Sequence, residues 1–241
     1  MTPTIAYFSA TGHTEKVALY FLAQFPEAQY INLTDHQTLT NWNAHTIHEV
    51  LILVLPIHAQ NIPLPIRGMI HHMHARHYVL TFTYGSIAPG NIAESLGKIW
   101  GRHKIIGVAY LPFSHSYGYP LEDPDLNLLG GLCRKIASGD TEPAVIPHQP
   151  ESPLKRVLER YRTHKGIRLT HLEDRCVACH ICFKTCPVQA ITPSWHITKA
   201  CIRCLRCVAV CPTQAWQYDR HILLTRYIKK RLHPRKVEVV Y

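Results

Sequence analysis

The chain has 241 residues, 46% of them hydrophobic and 17% charged, enough to bury one large core or two modest ones and too apolar for wholesale disorder. Residues 1–150 hold 8 Lys+Arg against 10 Asp+Glu, whereas residues 151–241 hold 18 against 6 and carry eight of the nine cysteines. No apolar run reaches the length of a membrane span and no basic leader precedes an apolar stretch, so no membrane span is expected, export is disfavoured, the expected location is the cytoplasm, and metal thiolates are favoured over a disulfide framework.

In chain order, Thr4–Phe8 reads as a buried strand that breaks at Ser9-Ala10-Thr11-Gly12-His13-Thr14. Val17, Ala18, Phe21, Leu22 and Phe25 then recur at helical spacing until Pro26. Strand, hydroxyl-rich turn and helix form an anion-binding arrangement, because Gly12 lets the backbone approach and the first helical turn offers free N–H groups. No Lys or Arg precedes Lys16, so neutral donors would hold the anion; the absence of G-K-[ST] excludes a P-loop. Val50–Leu55, Tyr78–Thr83 and Ile105–Leu111 are continuous apolar or β-branched runs, as expected of parallel strands buried on both faces. Separated by helical patterns, they predict an α/β doubly wound parallel sheet with its ligand beyond the carboxyl ends of the strands. Three loops fall there: Ser9–Thr14, Pro56–Asn61 and Tyr84–Asn91. Farther along, Cys133 reads as a small buried apolar residue. His71, His72, His74 and His77 read as a solvated helix terminus, with a second metal site as the alternative.

Ser138–Pro153 is a proline-spaced connector. After it Leu154, Val157, Leu158 and Tyr161 follow helical spacing up to Gly166, predicting a helix that docks one half on the other. The division is accordingly 1–150 and 151–241, the second part ending in a basic tail, Arg226–Lys236.

The cysteines form an internal repeat offset by 25 residues: Cys176-x₂-Cys179-x₂-Cys182-x₃-Cys186-Pro187 recurs as Cys201-x₂-Cys204-x₂-Cys207-x₃-Cys211-Pro212. This is the bacterial ferredoxin run, in which three thiolates wrap one cubane and the fourth, before the proline, reaches the other. By that rule Cys176, Cys179, Cys182 and Cys211 hold one [4Fe–4S] cluster, and Cys201, Cys204, Cys207 and Cys186 the second. Structural zinc and a purely structural cluster are the alternatives weighed. Lys184, Lys199, Arg203 and Arg206 lie within or beside the ligand runs and are expected to raise the cluster potentials.

Tyr7-Phe8-Ser9-Ala10-Thr11-Gly12-His13-Thr14 resembles the FMN phosphate loop of flavodoxins, and Leu169–Tyr218 resembles a two-cluster bacterial ferredoxin. Together the chain resembles the flavodoxin–ferredoxin fusion proteins of the EFR1-type ferredoxin family. The resemblance implies a flavodoxin-like sheet followed by a small α+β two-cluster ferredoxin domain. Ser9, Ala10, Thr11, Gly12, His13 and Thr14 would then cradle the FMN phosphate. Pro56, Ile57, His58, Ala59, Asn61, Thr83, Tyr84, Gly85 and Gly90 would flank the flavin ring, with Tyr84 or His58 against a face. His13 stands where the flavodoxin loop has Asn, and Asn61 is expected to supply the positive φ that a glycine gives in flavodoxins.

The function expected is electron transfer between FMN, two clusters and a redox partner, with no residue required as acid or base. An FMN reductase acting on an organic substrate, with Tyr84, His58 or His115 as proton donor, is the enzyme alternative. A cluster-based regulatory module on an FMN-empty scaffold is another. The basic tail reads as a solvated surface, a dock for an acidic redox partner, or a contact for nucleic acid or membrane; nucleic acid is not expected.

Overall fold

The computed structural model describes residues 1–149, 159–233 and 235–241. The expected boundary at 150, Pro150, Pro153 and the stripe Leu154, Val157 and Leu158 lie outside the described residues, as does the side chain of Tyr161.

Five parallel strands make the first sheet: β1 (Pro3–Tyr7), β2 (Gln29–Asn32), β3 (Ile47–Pro56), β4 (His74–Tyr84) and β5 (Ile105–Pro112). Their order is β2-β1-β3-β4-β5, the flavodoxin-like winding, with the switch point between β1 and β3. Both faces are covered, which is why β3 is an unbroken apolar run. Leu51, Leu53 and Leu55 enter the core on one side, while Val50, Ile52 and Val54 enter the core on the other. Helices α2 (His36–Thr40), α3 (Leu64–Met69) and α4 (Ile92–Trp100) cover the first side; α1 (His13–Gln24) and α5 (Gly130–Ser138) cover the second. The predicted strands are present with small extensions. The short edge strand β2 escapes the sequence pattern because none of its residues is fully buried.

Cys133 is buried in the second core. The histidine cluster does not end a long helix: His71 and His72 sit in a 3₁₀ turn, whereas His74 and His77 belong to β4. Among the described residues no group of three or more His, Cys, Asp or Glu converges on a single-ion site.

The described part of the docking helix, Glu159–Gly166, leads into β6 (Ile167–His171), which pairs antiparallel with β7 (Trp216–Arg220). Between these strands lie two short helices, Ile181–Lys184 and Arg206–Val210, one per cysteine run. Their core combines Cys182, Cys186, Ala190, Ile191, Cys207 and Trp216.

The cations of the basic tail are exposed, as a solvated surface requires, but the segment is ordered into regular elements. It forms a helix, Ile222–Arg231, and then strand β8 (Glu238–Val240), which returns to the first sheet and pairs antiparallel with β5 through Val108↔Val240 and Tyr110↔Glu238. β8 covers a sheet edge that would otherwise expose unpaired N–H and C=O groups. Tyr241 lies against Gly131 of α5, at a point where a Cβ would collide with its ring. Among the described residues no helix is long and apolar enough to cross a membrane.

Candidate functional site: two thiol cages and an interdomain pocket

The repeat in sequence is a repeat in backbone. Left-handed residues occur at Ala178, His180 and Gln189 in the first run, and at Arg203, Leu205 and Gln214 in the second, each 25 positions on. These turns curl each C-x₂-C loop around a void and point main-chain N–H groups inward. Ala190 N–H donates to Cys186 Sγ at 3.3 Å, and its counterpart Ala215 N–H donates to Cys211 Sγ at 3.2 Å.

Two cavities result. Cys176, Cys179, Cys182 and Cys211 line one, of about 290 Å³; Cys186, Cys201, Cys204 and Cys207 line the other, of about 340 Å³. Each cage thus takes three sulfurs from one run and the fourth from the other. The remaining walls are mostly apolar, with Trp195 and Trp216 at the first and Val188, Ile191 and Ile197 at the second. Burial pushes the Cys204 thiol up to about 12 and raises Cys207 and Cys182 as well. At Cys211 burial acts in the same direction, but hydrogen bonds from Thr213 and the Ala215 N–H outweigh it and lower the thiol. Four sulfurs around each mostly apolar void, with N–H donors aimed at Cys186 and Cys211, fit an iron–sulfur core that would keep them ionised.

At the switch point, β1 runs into the hydroxyl-rich loop and α1. Gly12 has φ +94°, caps the helix without a side-chain bond, and has open space where a Cβ would stand. The first-turn N–H groups therefore face room for an anion. The hydroxyls are less free than the sequence implies. Ser9 Oγ accepts the Gly12 N–H at 3.2 Å, and the Thr14 and Thr83 hydroxyls bond each other at 2.7 Å. The His13 ring stacks on Phe113, and burial lowers its pKa, leaving a neutral imidazole at the helix start. Thr34 Oγ1 accepts the Ser9 N–H at 2.7 Å and so fixes the loop from behind. Arg206 of the second cysteine run reaches across and donates from Nη1 to the Ser9 and Ala10 carbonyls at 3.3 and 3.4 Å.

A pocket of about 1100 Å³, its open mouth included, lies at the carboxyl edge of the sheet; Ser9, Ala10, Thr11, Gly12, His13 and Thr14 are not among its lining residues. One wall is Ile57, His58, Ala59 and Gln60; a second is Tyr84, Gly85, Ile87 and Ala88; a third is His115, Ser116 and Tyr117. The ferredoxin-like half supplies Ile202, Arg203 and Cys204, and the tail helix adds Leu224, Tyr227 and Ile228. Of the ring-flanking residues expected from sequence, Ile57, His58, Ala59, Tyr84 and Gly85 meet here. Pro56, Asn61, Thr83 and Gly90 support the walls from outside the lining.

The positive φ does not fall on Asn61. It falls on Ala59 (+47°) and Gln60 (+69°), the central residues of a two-residue turn closed by His58 N–H to Asn61 O at 2.8 Å and Asn61 N–H to His58 O at 2.9 Å. A turn of this hand needs positive φ at both central positions, so the register of the hairpin decided which residues are strained. Gly90 (φ +75°) permits it, because a Cβ there would stand 2.7 Å from Gln60 Cβ.

His58 is pushed down to about 4 by burial, with Arg67 and His115 adding repulsion; His115 is pushed down to about 4 by burial and then Arg220. Both imidazoles are neutral at pH 7. Apart from His115, expected as a proton donor in the enzyme alternative, the third wall and the tail helix carry no motif that would announce them, since β5 ends in an ordinary-looking loop. Their one signal is topological: a fifth loop at the carboxyl edge of the sheet. A concave pocket lined by apolar, hydroxyl and neutral imidazole side chains fits the ring of a flavin mononucleotide in chemistry, and the uncapped start of α1 fits its phosphate.

The family model for the 4Fe-4S binding domain matches residues 169–192 and 195–217. Among curated proteins none matches this chain. Two solved structures proposed to be flavoproteins are similar to parts of it. That from Bacteroides uniformis ATCC 8492 is 15% identical, covers 42% of this chain and 86% of its own, and has a TM-score of 0.32. That from Bacteroides eggerthii DSM 20697 is 19% identical, covers 56% and 98%, and has a TM-score of 0.38. Superposition at that level carries no weight beside the strand order itself. The matched segment contains all eight cysteines of the two cages, so this half of the chain is an iron–sulfur, ferredoxin-type domain, and its chemistry is electron transfer.

Proposed function

We propose that this chain is an electron-transfer flavoprotein of the flavodoxin–ferredoxin fusion type, of the EFR1-type ferredoxin family, with FMN in residues 1–150 and two [4Fe–4S] clusters in residues 151–241. The observation that carries this reading is the shared pocket. Tyr84 and His58, expected beside a flavin ring, line the same cavity as Cys204, a residue of the second thiol cage.

When bound, the flavin exchanges one or two electrons and the clusters exchange one each, which links two-electron to one-electron chemistry. The chain's own residues then bind, orient and exclude water. Gly12 and the first turn of α1 would hold the phosphate, while Arg206 holds the Ser9 and Ala10 carbonyls in place. His58 and His115 line the pocket as neutral groups and would stand beside the ring. Leu224, Tyr227 and Ile228 line the pocket and would help exclude water from it. The exposed cations Lys229, Lys230 and Arg231 offer an acidic redox partner a basic face.

Chain prepared without oxygen should contain roughly eight irons, as two four-iron cores require, and about one FMN. Photoreduction of the flavin should be followed by bleaching of the clusters in the same molecule. Preparations that never retain flavin, or a flavin and clusters that never equilibrate, would refute the reading.

A further inference from the structure

The pocket lining is unusual in charge. Among the described residues that form it there is no carboxylate, the two imidazoles are neutral, and Arg203 carries the one formal charge. Arg67 and Arg220 stand behind His58 and His115 and add to a positive field. Near Tyr84 the opposing charges of Arg235 and Glu238 offset each other.

Arg203 Nε and Nη1 are buried and have no hydrogen-bond partner among the described residues. Two buried guanidinium nitrogens without a hydrogen-bond partner are costly, and a site of this kind suits an anionic acceptor. The loop does not require an arginine there. Arg203 takes φ +54°, and its equivalent in the first run, Ala178, takes φ +52° with no long side chain. Arg206 is likewise matched by Ile181, and it already serves the phosphate loop. Arg203 lines the interdomain pocket and not the second cage, whereas Arg206 lines the cage and not the pocket. The two arginines have separate tasks.

We propose that Arg203 is the binding residue for the negative charge that a flavin ring acquires on reduction, so that the ferredoxin half sets the affinity of the flavin half for its reduced cofactor. The inference rests on the FMN reading above. Oxidised FMN has a neutral ring and would gain little from Arg203; the reduced ring is anionic and would gain a charge-assisted hydrogen bond in a site sheltered from water.

The test uses the full anaerobically prepared chain, with FMN itself as the probe. Oxidised and dithionite-reduced FMN are titrated against wild type, Arg203→Ala and Arg203→Lys, and iron content is measured to show that both cages remain filled. Arg203→Ala should bind oxidised FMN within about twofold of wild type and reduced FMN about tenfold more weakly. A tenfold difference lowers a two-electron midpoint by about 30 mV. Arg203→Lys should restore most of the loss. Equal weakening for both forms would place Arg203 on the phosphate and overturn the inference, as would unchanged affinities or a shift confined to the cluster potentials. Failure of the wild-type chain to bind FMN at all would overturn the parent reading together with this one.

Discussion

At Cys186 and Cys211 one atom decides which cage is served. Cys211→Ser should remove the cluster bounded by Cys176, Cys179 and Cys182, and Cys186→Ser the one bounded by Cys201, Cys204 and Cys207. Half of the iron should remain in each, with distinct low-temperature EPR spectra; identical residual spectra would contradict the crossed arrangement. Gly85 is a second single-atom decision. A Cβ there would lie 2.7 and 2.8 Å from the His115 ring and 3.0 Å from its Cα, so one backbone must yield. Gly85→Ala should destabilise the chain by about 1–3 kcal/mol, measured by denaturant unfolding, and should displace the third pocket wall. His58 and His115 share a titration. Their native pKa values near 4 lie below the ordinary 6.5, so the unfolded chain binds more protons between those limits. Their contribution is therefore complete above pH 6.5 and is lost as pH falls toward 4. The thermal midpoint should drop across that window, and less steeply in His58→Gln.

Among the elements, β8 changes the meaning of the tail. Three residues pair with Val108–Tyr110 and anchor the preceding helix, whose Leu224, Tyr227 and Ile228 face the pocket. Removing residues 237–241 should bare the β5 edge and loosen that wall. The expected outcome is several-fold weaker FMN retention and a tendency to self-associate, read by flavin content and size-exclusion chromatography. The strands β1, β3, β4 and β5 were legible as apolar runs because each is buried on both faces. β2 and β8 were not, because edge strands are half-exposed and carry no continuous apolar pattern. The positive-φ residues illustrate the same limit: composition pointed to Asn61, but the closure of the His58–Asn61 turn placed the strain on Ala59 and Gln60.

For the molecule as a whole, the halves are joined by the 115–119 loop. Tyr117 Oη donates to Arg203 O at 3.4 Å, Tyr119 Oη donates to Thr225 O at 3.3 Å, and Arg220 bonds Tyr117 O while its guanidinium sits 4.9 Å from the centre of the Tyr119 ring. Arg220→Ala should leave flavin and iron contents intact but slow cluster reduction after flavin photoreduction, because electron transfer weakens steeply with separation. Unchanged transfer rates would show that the loop does not hold the halves in register.

The eight cysteines that line the two cages and the strand–turn–helix at Gly12 could be read from sequence alone, since both patterns lie in residue type at short, fixed spacing, which a linear pattern preserves. That the second cage shares a wall with the pocket, that Arg203 turns into that pocket while Arg206 turns to Ser9 and Ala10, and that the tail returns to β5, were decided only by the tertiary structure. These are contacts between residues about a hundred to two hundred positions apart. They follow from how two independently wound cores pack together, and no local periodicity records that.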